Sequence, residues 1–402
     1  MRTVEEQRAR ILSLAEPLAA EVTPIVSAVG GVLAEDLPAR FAVPPFDNSA
    51  MDGFAVRAGD LAAGVELVVV GDIPAGATSV PEVGEGQCAR IMTGAPLPPG
   101  ADAVVPVELT DQPWGQAELP ARMRITEAVA VGKHVRRKGE NVRVGEPGLP
   151  AGLAWSPAAA SSAASLGYAE VPLIRRPRVA VLSTGSELVA PGEPLGFGQI
   201  PDSNSVLLAG LCRQFGAEVI SARAVGDDPA QFRAALDVAL AADLVVTTGG
   251  VSVGAFEVVR QVTEGQIEFT KVAMQPGKPQ ASGVLAAPDG RKVPMLGLPG
   301  NPVSAFVSAW VFVRPLIACL AGRADRWPSV QARAAVGWST PPGRRQYVPV
   351  AVADGLATPV HALGSGSHLV ATLALADGLA VVPEDVEQVQ PGDLLTVHSI
   401  TA

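Results

Sequence analysis

The stretch RVAVLSTGSELV, residues 178–189, decides the fold. After its leading arginine it opens on four apolar residues with no polar alternation, the pattern of a strand covered on both faces. It then breaks into Ser183-Thr184-Gly185, small and hydroxylated residues of the kind found where a sheet meets a ligand. Working outward, the same grammar repeats: a helix over 205–214, a strand over 218–222, a helix over 229–242, a strand over 244–247, a helix near 256–264, a strand over 293–298 and a long helix over 302–320. Strands and helices alternating at this spacing predict a parallel α/β sheet with right-handed crossovers across 175–322.

The flanks read differently. Residues 3–35 carry apolar positions near helical spacing (Ile11, Leu12, Leu14, Ala15, Leu18) and predict a helical segment, until Pro44 and Pro45 break it. From 44 to 134 short apolar runs are separated by Gly and Pro, so this part is read as β-rich. Residues 156–167 form a small-residue helix that starts at Ser-Pro and stops at Gly167. From about 326 short strands and turns return, which predicts a small C-terminal β domain.

The chain has 402 residues, 48% of them hydrophobic, which is too long for one core and implies several domains. A net charge of −10 argues against non-specific nucleic-acid binding. Three scattered cysteines, Cys88, Cys212 and Cys319, form no disulfide framework or metal spacing and fit a reducing cytoplasm. The longest apolar stretch, 302–313, is cut by Arg314 and falls short of the ~20 residues of a membrane span.

Three loops at expected strand ends carry the chemistry: 183–187 (STGSE), 247–254 (TTGGVSVG) and 297–302 (GLPGNP). Their glycines allow close backbone approach, and Asn301 before Pro302 is a good helix start whose free N–H groups suit an anion. Converging on one sheet edge, they predict a nucleotide-like site. Carboxylates gather there: Glu187, Asp202, Asp227, Asp228 and Glu257, although Asp228 reads first as the cap of the helix after it. Acids beside a phosphate site suggest Mg2+, which takes one or two carboxylates plus phosphate oxygens. Lys271 and Lys278, in FTKVAMQPGKPQASG, are read as anion-binding, the second presented by a Pro-Gly-Lys-Pro turn. The segment 122–143 concentrates Arg122, Arg124, Lys133, Arg136, Arg137, Lys138 and Arg143, either facing an anion or forming a solvated face. Asp47, Ser49 and Asp52 lie in a polar turn. The four histidines, 134, 361, 368 and 398, show no ligand spacing and receive no role.

Taken together, PPFDNSAMDGFAV, GDIPAG, IMTGAPLPPGADAVV, VRRKGEN, VAVLSTGSELV, IPDSNS, DLVVTTGGVSVG, PGKP and GLPGNPVSAF resemble, in order, the molybdopterin molybdenumtransferase family of the MoeA type, related to the C-terminal domain of gephyrin. The resemblance implies four domains: an elongated discontinuous one (1–43 and 135–175), an inserted β-rich one (44–134), a molybdopterin-binding α/β one (176–325) and a C-terminal β-barrel (326–402). It implies a cytoplasmic homodimer, with the site between the α/β domain of one subunit and the inserted domain of the other. The implied reaction moves molybdenum from molybdate into adenylylated molybdopterin with Mg2+ and release of AMP. A contact with the adenylyltransferase that makes this substrate belongs to the same picture, and nucleic acid and membrane do not.

Carried over residue by residue, the resemblance implies that Asp52, Glu187, Asp228, Lys271 and Lys278 are catalytic. It implies ligand contacts from Thr184, Gly185, Asp202, Ser203, Gly249, Gly250, Ser252, Gly297, Pro299, Gly300, Asn301 and Ser365, and metal binding by Glu187, Asp228 and Glu257. Three departures stand out: Ala255 where relatives have an acid, Asn141 where a carboxylate is expected, and Gln275 where a cation is common. Two other readings stay open on the sequence. Adenylylation of molybdopterin would leave the first 175 residues and the C-terminal domain without a task. A scaffold that has lost catalysis draws on the gephyrin kinship and the missing acids.

Overall fold

The computed structural model describes residues 1–401 apart from 29, 114, 116, 117, 251–257, 363 and 365. At its centre is a six-stranded sheet in the order Glu218–Val225, Arg178–Thr184, Leu244–Thr248, Lys292–Leu298, Pro279–Ala286, Ile267–Lys271. The first four are mutually parallel, as the alternation predicts. The last two run antiparallel and extend the sheet. Sequence reading misses this pair because Pro276, Gly277 and Pro279 read as a turn, whereas Pro279 sits at the first position of its strand, where a ladder tolerates proline.

Both faces of this sheet are covered. Val179 and Val181 of the Arg178–Thr184 strand point into one apolar layer with Leu208, Cys212, Phe306 and Leu316; Ala180 and Leu182 point into the other with Phe232, Leu236 and Val259. Side-chain alternation in a strand therefore divides an all-apolar run between two cores. The Pro302–Leu320 helix is long and apolar enough to cross a membrane by composition alone, yet lies inside the first layer. Arg314 does not cut it: the side chain is buried, with Nη1 2.5 Å from Asp325 Oδ1 and Nε donating to the Trp310 carbonyl. The stretch expected to stop at residue 313 therefore continues.

The N-terminal segment differs from the helix expected over 3–35. A helix covers only Val4–Leu12, closed at its start by a capping box between Thr3 and Glu6. Pro17 lies beyond it, and Val22, Thr23 and Pro24 favour extension, so Ala20–Pro24 becomes a strand paired with Glu170–Ile174, which pairs in turn with Val32–Leu33. The short helix buries Val4 and Ile11 in the α/β core, and its Gln7 amide reaches Ser282 Oγ.

Five strands between 53 and 124 make the β-rich sheet: Ala103–Pro106, Gly53–Val56, Gln87–Ile91, Glu66–Ile73, Arg122–Arg124. The basic segment is partly neutralised there. Arg122 and Arg124 pair with Glu66, and Arg137 pairs with Asp47. The Lys138 backbone N–H and the Arg137 guanidinium hold the Asp47 carboxyl below its usual range. At the C-terminus, Arg345–Ala353, Leu356–Pro359, Ser329–Ala334, Leu394–Ser399 and Gly378–Val382 close into a barrel, the last strand pairing back to the first. A two-residue strand from the α/β segment, Met274–Gln275, adds to this barrel beside Arg345 and Gln346.

Candidate active site

The carboxyl ends of the parallel strands open into a cleft of about 840 Å³. Its walls include Ser183, Thr184, Gly185, Glu187, Asp202, Ser203, Asn204, Asp227, Thr248, Gly249, Gly250, Pro299, Gly300, Asn301 and His368. The three loops singled out in the sequence thus meet at one edge, where such sheets bind ligands. Glu187, Thr184, Gly185, Asp202, Ser203, Gly249, Gly250, Pro299, Gly300 and Asn301 are brought together. Gly297 lies one residue before the end of its strand. Ser252, Glu257 and Ser365 lie outside the described residues, as does Ala255.

Hydrogen bonds lock the loops to each other. Asn204 Nδ2 donates to Thr248 Oγ1 at 3.0 Å and to the Gly300 carbonyl at 2.6 Å, while Thr248 Oγ1 donates to the Pro299 carbonyl at 3.0 Å. Asn204 is the second residue of the Ser203–Gln214 helix, so one helix start holds the other two loops. Gly249 has φ +87°, and a Cβ there would stand 2.6 Å from the Thr184 carbonyl oxygen, so only glycine lets the second loop lie against the first. Asn204 and Thr248 were not assigned roles in the sequence, although they lie within the IPDSNS and TTGGVSVG stretches it singled out.

The carboxylates divide by task. Asp202 is buried and caps its helix, accepting from Ser205 N at 3.0 Å and from the Ser205 hydroxyl. Asp228 caps the Pro229–Ala239 helix through Gln231 N at 2.8 Å, and Asp227, not Asp228, lines the cleft. Asp227 accepts from Ser186 N at 2.8 Å, which leaves it and Glu187, among the described residues of the candidate set at this edge, as the carboxylates outside a cap. Among the described residues no group of three metal-binding side chains converges. The Ser183 hydroxyl is buried in the cleft wall without a hydrogen-bond partner, another feature invisible in the sequence.

Lys271 ends the Ile267–Lys271 strand opposite Pro279, which lines the cleft. Lys278 sits on a turn fixed by Gln280, whose Nε2 donates to the Gly277 carbonyl and to Ser308 Oγ, both at 2.7 Å. Neither lysine is part of the cleft wall itself. Gln275 accepts from Arg344 Nη1 at 3.3 Å, so a guanidinium stands beside the position where a cation was expected. The C-terminal segment reaches the site through Ser367, whose Oγ accepts from Asn301 Nδ2 at 2.9 Å and whose carbonyl accepts from Val303 N at 3.1 Å. Asn301 therefore turns toward Ser367 instead of capping its own helix with its side chain.

Asp52 is elsewhere. Its Oδ1 accepts from Thr93 N at 2.6 Å and Thr93 Oγ1 at 2.7 Å, and it lines a separate cleft of about 490 Å³ with Phe54, Arg90 and Met92. The thiols of Cys88 and Cys212 are pushed up to about 12 by burial, which fits packing and not reactivity.

Three family profiles cover the chain: the MoeA N-terminal region (domain I and II) over residues 2–167, the probable molybdopterin binding domain over 180–318, and the MoeA C-terminal region (domain IV) over 331–400. Molybdopterin molybdenumtransferase 2 of Mycobacterium tuberculosis is 43% identical over 417 residues, spanning all of both chains. Molybdopterin molybdenumtransferase of Haemophilus influenzae is 37% identical over 99% of this chain and 98% of its own. The crystal structure of a molybdopterin biosynthesis MoeA protein from Pyrococcus horikosii superimposes with a TM-score of 0.84 and 32% identity, covering 100% of this chain and 99% of that one. With the four parallel strands, the looped edge and the closing barrel in place, these matches make the chain a member of the MoeA family of molybdopterin molybdenumtransferases.

Proposed function

We propose that the protein takes molybdenum from molybdate into adenylylated molybdopterin, whose paired thiols receive the metal, and that AMP leaves as the anhydride is cleaved. The observation that carries this reading is the edge cleft, where three loops are bound together by Asn204 and Thr248 and an unpartnered Ser183 hydroxyl waits in the wall. A buried hydroxyl without a partner is costly unless a ligand supplies one. Backbone N–H groups of the glycine loops suit phosphate oxygens.

The donor set fits Mg2+, which binds through one or two carboxylates and keeps phosphate oxygens as its other ligands. Glu187 and Asp227 would hold it, and when bound it supplies Lewis-acid stabilisation of the charge that develops on the anhydride oxygens. Lys278 precedes and Lys271 pairs with Pro279, itself a residue of the cleft wall, and Arg344 beside Gln275 provides the cation that this chain lacks at position 275. These groups attract a tetrahedral dianion.

The reading extends to a homodimer. Asp52, held by Thr93, lines a cleft distinct from the α/β cleft of the same chain, which supports a site completed by the inserted domain of a second copy. Work in the cytoplasm and receipt of substrate from an adenylyltransferase complete the proposal. The test is molybdate-dependent AMP release and molybdenum insertion by the purified protein supplied with adenylylated molybdopterin and Mg2+. Glu187→Gln should lower both rates by at least about a hundredfold; unchanged rates would sink the assignment.

A further inference from the structure

Among the described residues lining the α/β cleft, the ionisable side chains are Glu187, Asp202, Asp227 and His368. Three are carboxylates. His368 is the one member of that set able to carry a positive charge, and no role was read for it from the sequence. Its backbone is fixed. Ser367 before it is tied to Asn301 and Val303, and the His368 carbonyl accepts from Val370 N at 2.9 Å. The imidazole is thus suspended, solvent-exposed, from a segment anchored to the start of the Pro302–Ser308 helix.

We propose that His368 exchanges the proton during oxygen-for-sulfur replacement at molybdenum, an inference that rests on the function proposed above. Two Mo–S bonds form and one Mo–O bond breaks. The two thiol protons end on the departing oxygen, which leaves as water, and molybdenum keeps its oxidation state and the complex its charge of −2. Oxide is too basic to leave unprotonated, so a proton must reach that oxygen as the bond breaks. His368 enters as imidazolium, gives its proton to the oxygen, and recovers one from a thiol, so the residue ends as it began. Imidazole is the side chain suited to both halves of this exchange near neutral pH. Glu187, Asp202 and Asp227 line the same cleft.

The test compares wild type with His368→Gln and His368→Lys, following molybdenum insertion against pH at saturating adenylylated molybdopterin. Glutamine should lower kcat by about a hundredfold or more and abolish the fall in rate through the range where imidazoles titrate. Lysine keeps the charge but does not release a proton at neutrality, so it should restore KM for molybdate and leave kcat low. Because the ring is exposed, both variants should melt with wild type. A glutamine variant with wild-type kcat and pH profile overturns the proposal, as does a lysine variant with wild-type kcat, which would reduce the ring to a cation. A wild-type protein that inserts no molybdenum overturns the functional reading and this inference with it; a working wild type alongside an unimpaired glutamine variant overturns this inference alone.

Discussion

Replacing Gly249 with alanine should disable the site while sparing the fold. The backbone there sits at φ +87°, where an L side chain costs about 1–2 kcal/mol. The added methyl would also stand 2.6 Å from the Thr184 carbonyl oxygen and 2.7 Å from Thr184 Oγ1, so the second loop must move off the first. Relieving such overpacking costs about 1–3 kcal/mol. Together that is about 2–5 kcal/mol at the point where the loops meet. If binding bears it all, affinity falls by roughly 30-fold to several thousandfold. Gly265 supplies the control: its φ is +79° and a Cβ there meets nothing within 4 Å, so Gly265→Ala carries the conformational cost alone. Calorimetric titration with adenylylated molybdopterin, beside thermal melting, separates the two. The reasoning is refuted if Gly249→Ala binds within about twofold of wild type, or if Gly265→Ala loses as much affinity.

Two further predictions follow from the geometry. Asp243 has 3% of its side chain exposed, with Arg175 Nη1 at 2.7 Å and Arg178 and Arg291 within 4 Å. Burial pushes its carboxyl up, but the Arg175 hydrogen bond and the Arg178 backbone N–H outweigh this and leave it below its usual range. A carboxyl lowered by folding contributes stability above its unfolded pKa of about 3.9 and loses it as pH falls through the folded value. Asp243→Ala should therefore cost about 3 kcal/mol at neutral pH in urea unfolding, and the gap from wild type should close in acid; a gap independent of pH contradicts the assignment. On the proposed homodimer, Asp52→Asn and Glu187→Gln, each impaired alone, should recover activity when co-expressed, because a mixed dimer would hold one intact pair of clefts. Failure of purified mixed dimers to work would place both residues' function within one chain.

Much of the site was legible because its loops are local. Ser183-Thr184-Gly185 and Gly297–Asn301 announce themselves through composition at strand ends, and a strand end is a local property. What ties them together is not. Asn204 reaches Gly300 across 96 positions, and no periodicity reports such a bond. Asp228 could be read in advance as a cap, and Asp227 as one of the acids at this edge, but the bond that fixes Asp227 comes from Ser186, 41 positions away. In the C-terminal loop, Ser365 and Ser367 occupy equivalent places in a glycine-serine repeat. The contacts of Ser367 with Asn301 and Val303 bring it, and His368 after it, to the site. The N-terminal helix misled in the opposite sense: apolar spacing continued past Leu12, but Pro17 and the pairing of Ala20–Pro24 with a distant strand overrode it.

The barrel's borrowed strand has a further consequence. Met274–Gln275 belongs in sequence to the α/β segment but finds its ladder partner at Arg345–Gln346, and Ser367 returns from the same side to grip Asn301. A chain truncated after Leu320 would retain every strand of the central sheet. It would also leave the lysine-bearing turn unsplinted and strip one wall from the cleft. The terminal module is therefore a brace built into the wall of the cleft.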